Sequence, residues 1–172
     1  MNSTLLIVLR LIHVVGGMLW GGAAVLYLFF VKPTVESIGS AGLEFMEHLA
    51  QRRRYPLFMT VTSTLTILSG GMLLWTTSAG LNQNWFRTDA GMGFSIGAGA
   101  ALVAYLLWRV IGGPTSAKLS QLGEEIATAG RPPSAEQRRT LQAVKTRLAS
   151  AEKINFIMLA VAMLAMATAR YW

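Results

Sequence analysis

The sequence predicts an all-α fold, a four-helix transmembrane bundle, and three observations carry that prediction. Of the 172 residues, 53% are hydrophobic and 13% are charged, whereas roughly a quarter of the residues of soluble globular domains are charged. Mean hydropathy is positive, at +0.47. Four apolar stretches approach or exceed the roughly 20 residues that a helix needs to cross a bilayer. The chain is therefore expected to reside in a lipid bilayer.

The four stretches are expected to form a single integral membrane domain over residues 1–172. The predicted spans are residues 4–31, 56–79, 91–113 and 153–170. The N-terminus lacks the basic region of a cleaved signal peptide, so the first span is expected to be permanent.

Basic residues lie mainly on one side of this topology. Of the 15 Lys and Arg residues, all but Arg10, Arg87 and Arg170 fall in segments 32–55 and 109–153. Basic loops tend to stay in the cytoplasm, so both termini are expected outside, in a bacterial-type inner (plasma) membrane. The net charge of +7 follows from this topology, with attraction to anionic lipid as a consequence, and does not indicate nucleic-acid binding.

The long connection between the third and fourth spans, residues 114–152, predicts a cytoplasmic helical hairpin. Its GRPPS stretch is typical of a turn. Ser134 and Gln137, directly after that turn, fit a capping box that starts the second helix. Pairs between Glu124 or Glu125 and facing arginines are expected to close the hairpin.

The absence of cysteine excludes disulfides, thiolate metal sites, iron–sulfur clusters and covalently attached haem. A bound metal must therefore use His, Met, carboxylate or backbone ligands. No Ser-His-Asp triad, phosphate-binding loop or carboxylate pair indicates hydrolysis or phosphoryl transfer. Catalytic residues are accordingly not assigned.

The first span carries an ionisable residue, His13, inside the apolar run RLIHVVGGMLWGGAAVLYLFFV. Residues three, four and seven apart share a helical face. The face that includes this histidine also holds Arg10, Gly17 and Trp20. At the same depth the other spans offer small residues, expected at Ser69 and Gly70, at 97–100 and at 160–162.

Close packing is one interpretation of these small residues, because helices in lipid associate through small side chains. In that case His13 hydrogen-bonds across the interface to Ser69 or to a threonine. A second interpretation is a slot for a porphyrin, with His13 as axial ligand of a b-type haem. Arg10 would then pair with a propionate, and Trp20 or Tyr27 would pack against the ring edge.

Methionine offers a further ligand in either of two metal sites. Met72 and Met163 are expected within about one turn of the level of His13 and are candidates for the sixth haem ligand. Histidine with thioether ligands also suits copper, especially Cu(I). Copper binding or transport is therefore an alternative to haem, and a cofactor-free accessory subunit of a larger membrane complex is another.

The stretch LRLIHVVGGMLWGGAAVLYLFFVKPTVES resembles the first helix of the copper-resistance protein D (CopD-like) membrane superfamily. The similar positions are His13, Trp20, Gly22 and Pro33. MEHLAQRRRYPLFMT is more distantly similar to the segment entering the second helix of HemJ-type protoporphyrinogen oxidases. The first resemblance implies copper handling, and the second implies haem bound through His13.

Together these observations predict a membrane protein that binds b-type haem through His13, in electron transfer or porphyrin redox chemistry. If the protein is an enzyme, it is expected to be a haem-dependent oxidoreductase. Each chain has one histidine within the predicted spans. A haem with two histidine ligands would therefore require a homodimer or a larger membrane complex.

Overall fold

A computed structural model describes residues 2–172, which form six helices and no strand. The helices are α1 Ser3–Ser37, α2 Ser40–Glu47 extended by a π-helical turn His48–Arg52, α3 Tyr55–Thr77, α4 Gln83–Phe86, α5 Asp89–Thr128 and α6 Ala135–Tyr171. In length and composition α1, α3, α5 and α6 are long and apolar enough to cross a membrane. The predicted all-α, four-span fold is thus confirmed, and the chain is a multi-pass membrane protein.

The bundle is built from two helix pairs. Helix α1 packs along α3, α5 packs along α6, and α3 joins the pairs by contacting α5, while α1 meets α6 over a much smaller surface. Trp20, Ala104 and Leu159 form a buried cluster where the pairs meet. A second cluster consists of Ala100, Ala101 and Ala162. Most large apolar side chains outside these clusters are exposed, as expected of a surface that faces lipid.

Helices α1 and α5 both continue through the prolines near which the predicted spans end. Each contains a π-helical turn, Tyr27–Val31 in α1 and Trp108–Gly112 in α5, two residues before Pro33 or Pro114. Proline has no N–H and its ring clashes with the carbonyl four residues earlier. The wider π turn changes the hydrogen-bonding register just before the ring, so both helices extend beyond the apolar core without breaking.

The helical hairpin between the third and fourth spans is present. The second half of α5 packs against the first half of α6. The Ser134 Oγ accepts a hydrogen bond from the Gln137 N–H at 3.1 Å, and the Gln137 Oε1 accepts one from the Ser134 N–H at 2.9 Å. The predicted capping box is confirmed. The end of the bundle that carries α2 and this hairpin is called the basic end.

The expected ion pairs within the hairpin are not found. Glu125 instead accepts a hydrogen bond from the Gln121 amide at 3.0 Å. Among residues 2–172 the one salt bridge joins Lys32 of α1 to Glu152 of α6. The prediction was wrong because the hairpin charges are exposed, and water solvates such charges about as well as a partner does.

The seam between α5 and α6 depends on small residues at defined positions, which Gly93→Ala tests. A Cβ on Gly93 would lie 2.8 Å from the Ala169 Cα, whereas one on Gly99, in the same helix, would meet nothing within 4 Å. We expect Gly93→Ala to lower the stability in detergent by about 1–3 kcal/mol through overpacking. Gly99→Ala should leave it unchanged or slightly raise it, because alanine favours helix.

The measurement is thermal unfolding of both variants in one detergent, followed by circular dichroism. Equal midpoints for the two variants would contradict the close approach of α5 and α6 at Gly93.

Candidate functional site

His13 lies on the face of α1 that packs against α3, with its ring half-buried. Its Nδ1 donates a hydrogen bond to the Thr66 carbonyl oxygen at 2.9 Å. A carbonyl oxygen only accepts hydrogen bonds, so Nδ1 carries the proton. In the neutral ring, Nε2 then holds a free lone pair. Among the described residues Nε2 has no hydrogen-bond partner, which leaves it available to a ligand.

Gly70 makes room for the imidazole. A Cβ at this position would lie 2.6 Å from the His13 Cε1 and 2.8 Å from its Nδ1. The ring therefore rests directly on the α3 backbone, where it reaches the Thr66 carbonyl. The expectation that Gly70 lies at the level of His13 is met.

Other residues expected in the site are engaged elsewhere. The Ser69 hydroxyl donates to the backbone of its own helix, at 2.5 Å from the Leu65 oxygen and 3.3 Å from that of Thr66. It touches the same carbonyl as His13 but not the ring. Trp20 is 5% exposed within the core cluster, so the indole cannot pack against the edge of a ring bound at His13.

Arg10 and Gly17 keep their places on the histidine face of α1. Arg10, one turn towards the N-terminus, is exposed and free to meet an anionic group beside His13. A Cβ on Gly17 would make an ordinary 3.6 Å contact with the Thr66 side chain. Gly17 therefore belongs to the α1–α3 seam.

The two methionines do not converge on His13. Met163 Sδ would lie 2.9 Å from a Cβ on Gly21, eight residues along α1 from His13 and so about 12 Å away along its axis. Met72 is half-exposed. It follows Gly70 by two residues, which turns its side chain about 200° away from the glycine that contacts His13. No group of three or more His, Cys, Asp or Glu side chains that could hold a metal occurs in residues 2–172.

The expected slot between the spans is filled. A Cβ on Gly16 would lie 2.7 Å from the Thr66 Oγ1, and one on Gly97 would lie 2.6 Å from the Met166 Cγ. The small residues thus bring helices together. Of residues 160–162, Ala162 packs with Ala100 and Ala101 against Ile67, the residue after Thr66. Leu159, just before this range, packs with Trp20, two turns from His13.

A second polar group lies near the basic end, and sequence analysis missed it. Lys32 forms an ion pair with Glu152, whose side chain is 6% exposed. Asn155, one turn further along α6, is also buried, and its Oδ1 has no hydrogen-bond partner. The sequence predicts Lys32 only as one of the basic residues of segment 32–55, and residue 152 only as the last residue of the hairpin, because each lies just outside an apolar run. The spacing of Leu148, Glu152, Asn155 and Leu159 on one buried face is the signal that could have found them.

Comparisons with protein-family models, with curated proteins and with the solved structures found no match to this chain.

The ion pair at the basic end predicts unequal effects for its two partners. Lys32→Met leaves a buried carboxylate without a cation, so we expect the free energy of unfolding to fall by about 3–5 kcal/mol. Glu152→Gln leaves Lys32, whose side chain is 26% exposed and can reach water. The fall in the free energy of unfolding of Glu152→Gln should be smaller, roughly 1 kcal/mol.

Denaturant titration of the two single variants and the double variant in detergent measures this asymmetry. The double variant should be more stable than Lys32→Met alone. Equal losses in the two single variants would show that the carboxylate is solvated rather than buried.

Proposed function

We propose that this membrane protein binds a b-type haem through the Nε2 of His13 and acts in membrane electron transfer or porphyrin redox chemistry. The observation that carries the proposal is the hydrogen bond from His13 Nδ1 to the Thr66 carbonyl. Ligating histidines almost always donate their other ring N–H in this way, which fixes the tautomer and strengthens the ligand. Haem, when bound, supplies one-electron transfer.

The residues around His13 fit such a group at the edge of the bundle. The imidazole is half-buried and its lone pair is unused, and the exposed Arg10 guanidinium can pair with a propionate. The interior is closed by packed side chains at Gly16 and Gly97. The macrocycle would therefore lie on the outer surface of the α1–α3 seam, against apolar side chains such as Val14.

A sixth ligand has to come from outside this set of residues. Met72 and Met163 lie away from His13, and the other histidine, His48, is in α2 at the basic end. A second copy of the chain, or another subunit of a larger complex, would supply it. Without such a ligand, His13 alone would hold the haem iron.

The proposed location is a bacterial-type inner membrane with the basic end in the cytoplasm and both termini outside. The support is the bias of lysine and arginine towards segments 32–55 and 109–153. His13 then lies in the outer half of the bilayer, and the Lys32–Glu152 pair lies near the cytoplasmic surface.

A second candidate function is a cofactor-free accessory subunit. The filled glycine contacts favour it, because they explain the small residues without a ligand. In that case the His13–Thr66 hydrogen bond only joins α1 to α3, and the exposed faces of the bundle meet a partner protein.

Visible absorption of the detergent-purified protein, oxidised and then reduced with dithionite, tests the haem proposal. We expect a Soret band that sharpens on reduction, disappears in His13→Ala and remains in His48→Ala, because His48 is exposed in α2. Gly70→Ala should weaken the band by displacing the ring, while Gly71→Ala should keep it, since a Cβ there meets nothing within 4 Å.

The other outcomes separate the alternatives. A colourless wild type, even after expression with a haem precursor, would refute haem binding. Stoichiometric copper without a Soret band, lost in His13→Ala, would instead support copper handling. A colourless, metal-free protein that loses a co-purifying partner when the exposed Gly22 is replaced by leucine would support the accessory subunit, because a Cβ at Gly22 meets nothing within 4 Å in the bundle itself.

A further inference from the structure

The side-chain oxygen of Asn155, in the buried part of α6, has no hydrogen-bond partner. The residue is 8% exposed, and its Oδ1 accepts no hydrogen bond. Buried polar atoms are nearly always paired, and an unpaired one calls for an explanation. Because Oδ1 is an acceptor, the missing group must be a hydrogen-bond donor.

Glu152 is the neighbour that can supply this donor. It lies three residues before Asn155 on the same helix, and side chains at this spacing are adjacent, with Cβ atoms roughly 5–6 Å apart. In the ion pair with Lys32 the carboxylate only accepts hydrogen bonds. A protonated carboxyl group has one O–H to donate.

We propose that Glu152 is a proton-binding site with two alternative partners. Ionised, it pairs with Lys32, as in the structure. Protonated, it leaves the ion pair and donates its O–H to the Asn155 Oδ1. The proton comes from water at the basic end, and the only interaction broken is the ion pair. Lys32 keeps its charge and, being 26% exposed, turns its ammonium group to water.

Few other ionisable groups compete for this role. A phenol carries no positive charge, so neither Tyr27 nor Tyr55, whose rings stack 6.2 Å apart, can replace the ammonium group of Lys32. Glu36, one turn beyond Lys32 on α1, is exposed. On α5, Arg109 is exposed, and the Tyr105 hydroxyl is 3.2 Å from the Thr64 Oγ1. Lys32 is the one cation within salt-bridge distance of Glu152 in the part of the chain that the structure describes.

Such a site would give a redox protein a place to take up or release a proton near one membrane surface. That use rests on the proposed function, whereas proton binding itself does not depend on haem. The two ideas can therefore fail separately.

Replacing Glu152 with glutamine tests the proposed hydrogen bond to the Asn155 Oδ1 without lowering the pH. Its amide donates hydrogen bonds but carries no charge, so it imitates the protonated carboxyl group. We expect Glu152→Gln to unfold at a temperature about 2–5 °C above Glu152→Ala. This difference in unfolding temperature should vanish when each of the two variants also carries Asn155→Leu. Glu136, an exposed residue at the start of α6, serves as the control. The difference in unfolding temperature between its Gln and Ala variants should be the same with and without Asn155→Leu.

Infrared difference spectroscopy of the full chain tests the proton directly. Lowering the pH through the range where carboxyl groups ordinarily titrate, about 7 to 3, should produce the carbonyl band of a hydrogen-bonded, buried carboxylic acid. The band should be absent in Glu152→Gln, present in Glu136→Gln, and moved to the position of a free carboxylic acid in Asn155→Leu.

Two results would overturn the proposal. One is an unfolding temperature of Glu152→Gln that still exceeds that of Glu152→Ala when both variants carry Asn155→Leu. The other is the absence of any Glu152-dependent carboxylic acid band while circular dichroism shows the protein folded. The visible spectrum of each sample reports its haem content independently, so loss of the band and loss of haem are distinguishable.

Discussion

Close approach of helix backbones is the constraint on which the rest of this structure depends. Inside a bilayer every backbone polar group must be satisfied within its own helix. Lipid supplies no hydrophobic force to bring the helices together. Contact surface must therefore come from close packing. Gly16, Gly93 and Gly97 provide it, because each faces a side chain or backbone of the neighbouring helix where a Cβ would collide.

This packing explains where chemistry can occur. A bundle whose seams are filled by Thr66, Met163 and Met166 has little interior left for a cofactor. A polar side chain can enter a seam only where a small residue on the facing helix leaves room for it. His13 enters the α1–α3 seam because Gly70 leaves room for an imidazole, and the α3 backbone offers the Thr66 carbonyl as its partner. The same contact that stabilises the helix pair thus leaves one ring nitrogen free.

The sequence was sufficient for features determined by local chemistry and composition. Apolar run lengths predicted the four spans, and Ser134 predicted the start of α6, because a capping box involves only neighbouring residues. Gly70 was placed correctly at the depth of His13. The partners of Met163, Trp20 and Glu152 could not be predicted, because helix tilt and rotation decide them. Spans that are apolar on nearly all sides carry no periodic signal from which that rotation can be read.

The ion pair at the basic end has a structural role that follows from the pairing of the helices. Helices α1 and α6 belong to different pairs and share little surface. Contacts between them follow one another towards the basic end. They include Trp20 with Leu159, the edge-to-face pair of Phe29 with Phe156 at 5.2 Å, and Lys32 with Glu152.

The first two contacts are apolar and insensitive to protons. The third depends on charge and lies where the two pairs begin to separate into α2 and the hairpin. Neutralising Glu152 would remove this ion pair between α1 and α6 without disturbing the core around Trp20. A proton at this position would therefore loosen the basic end alone. The packed half of the bundle that contains His13, held between α1 and α3, would stay as it is.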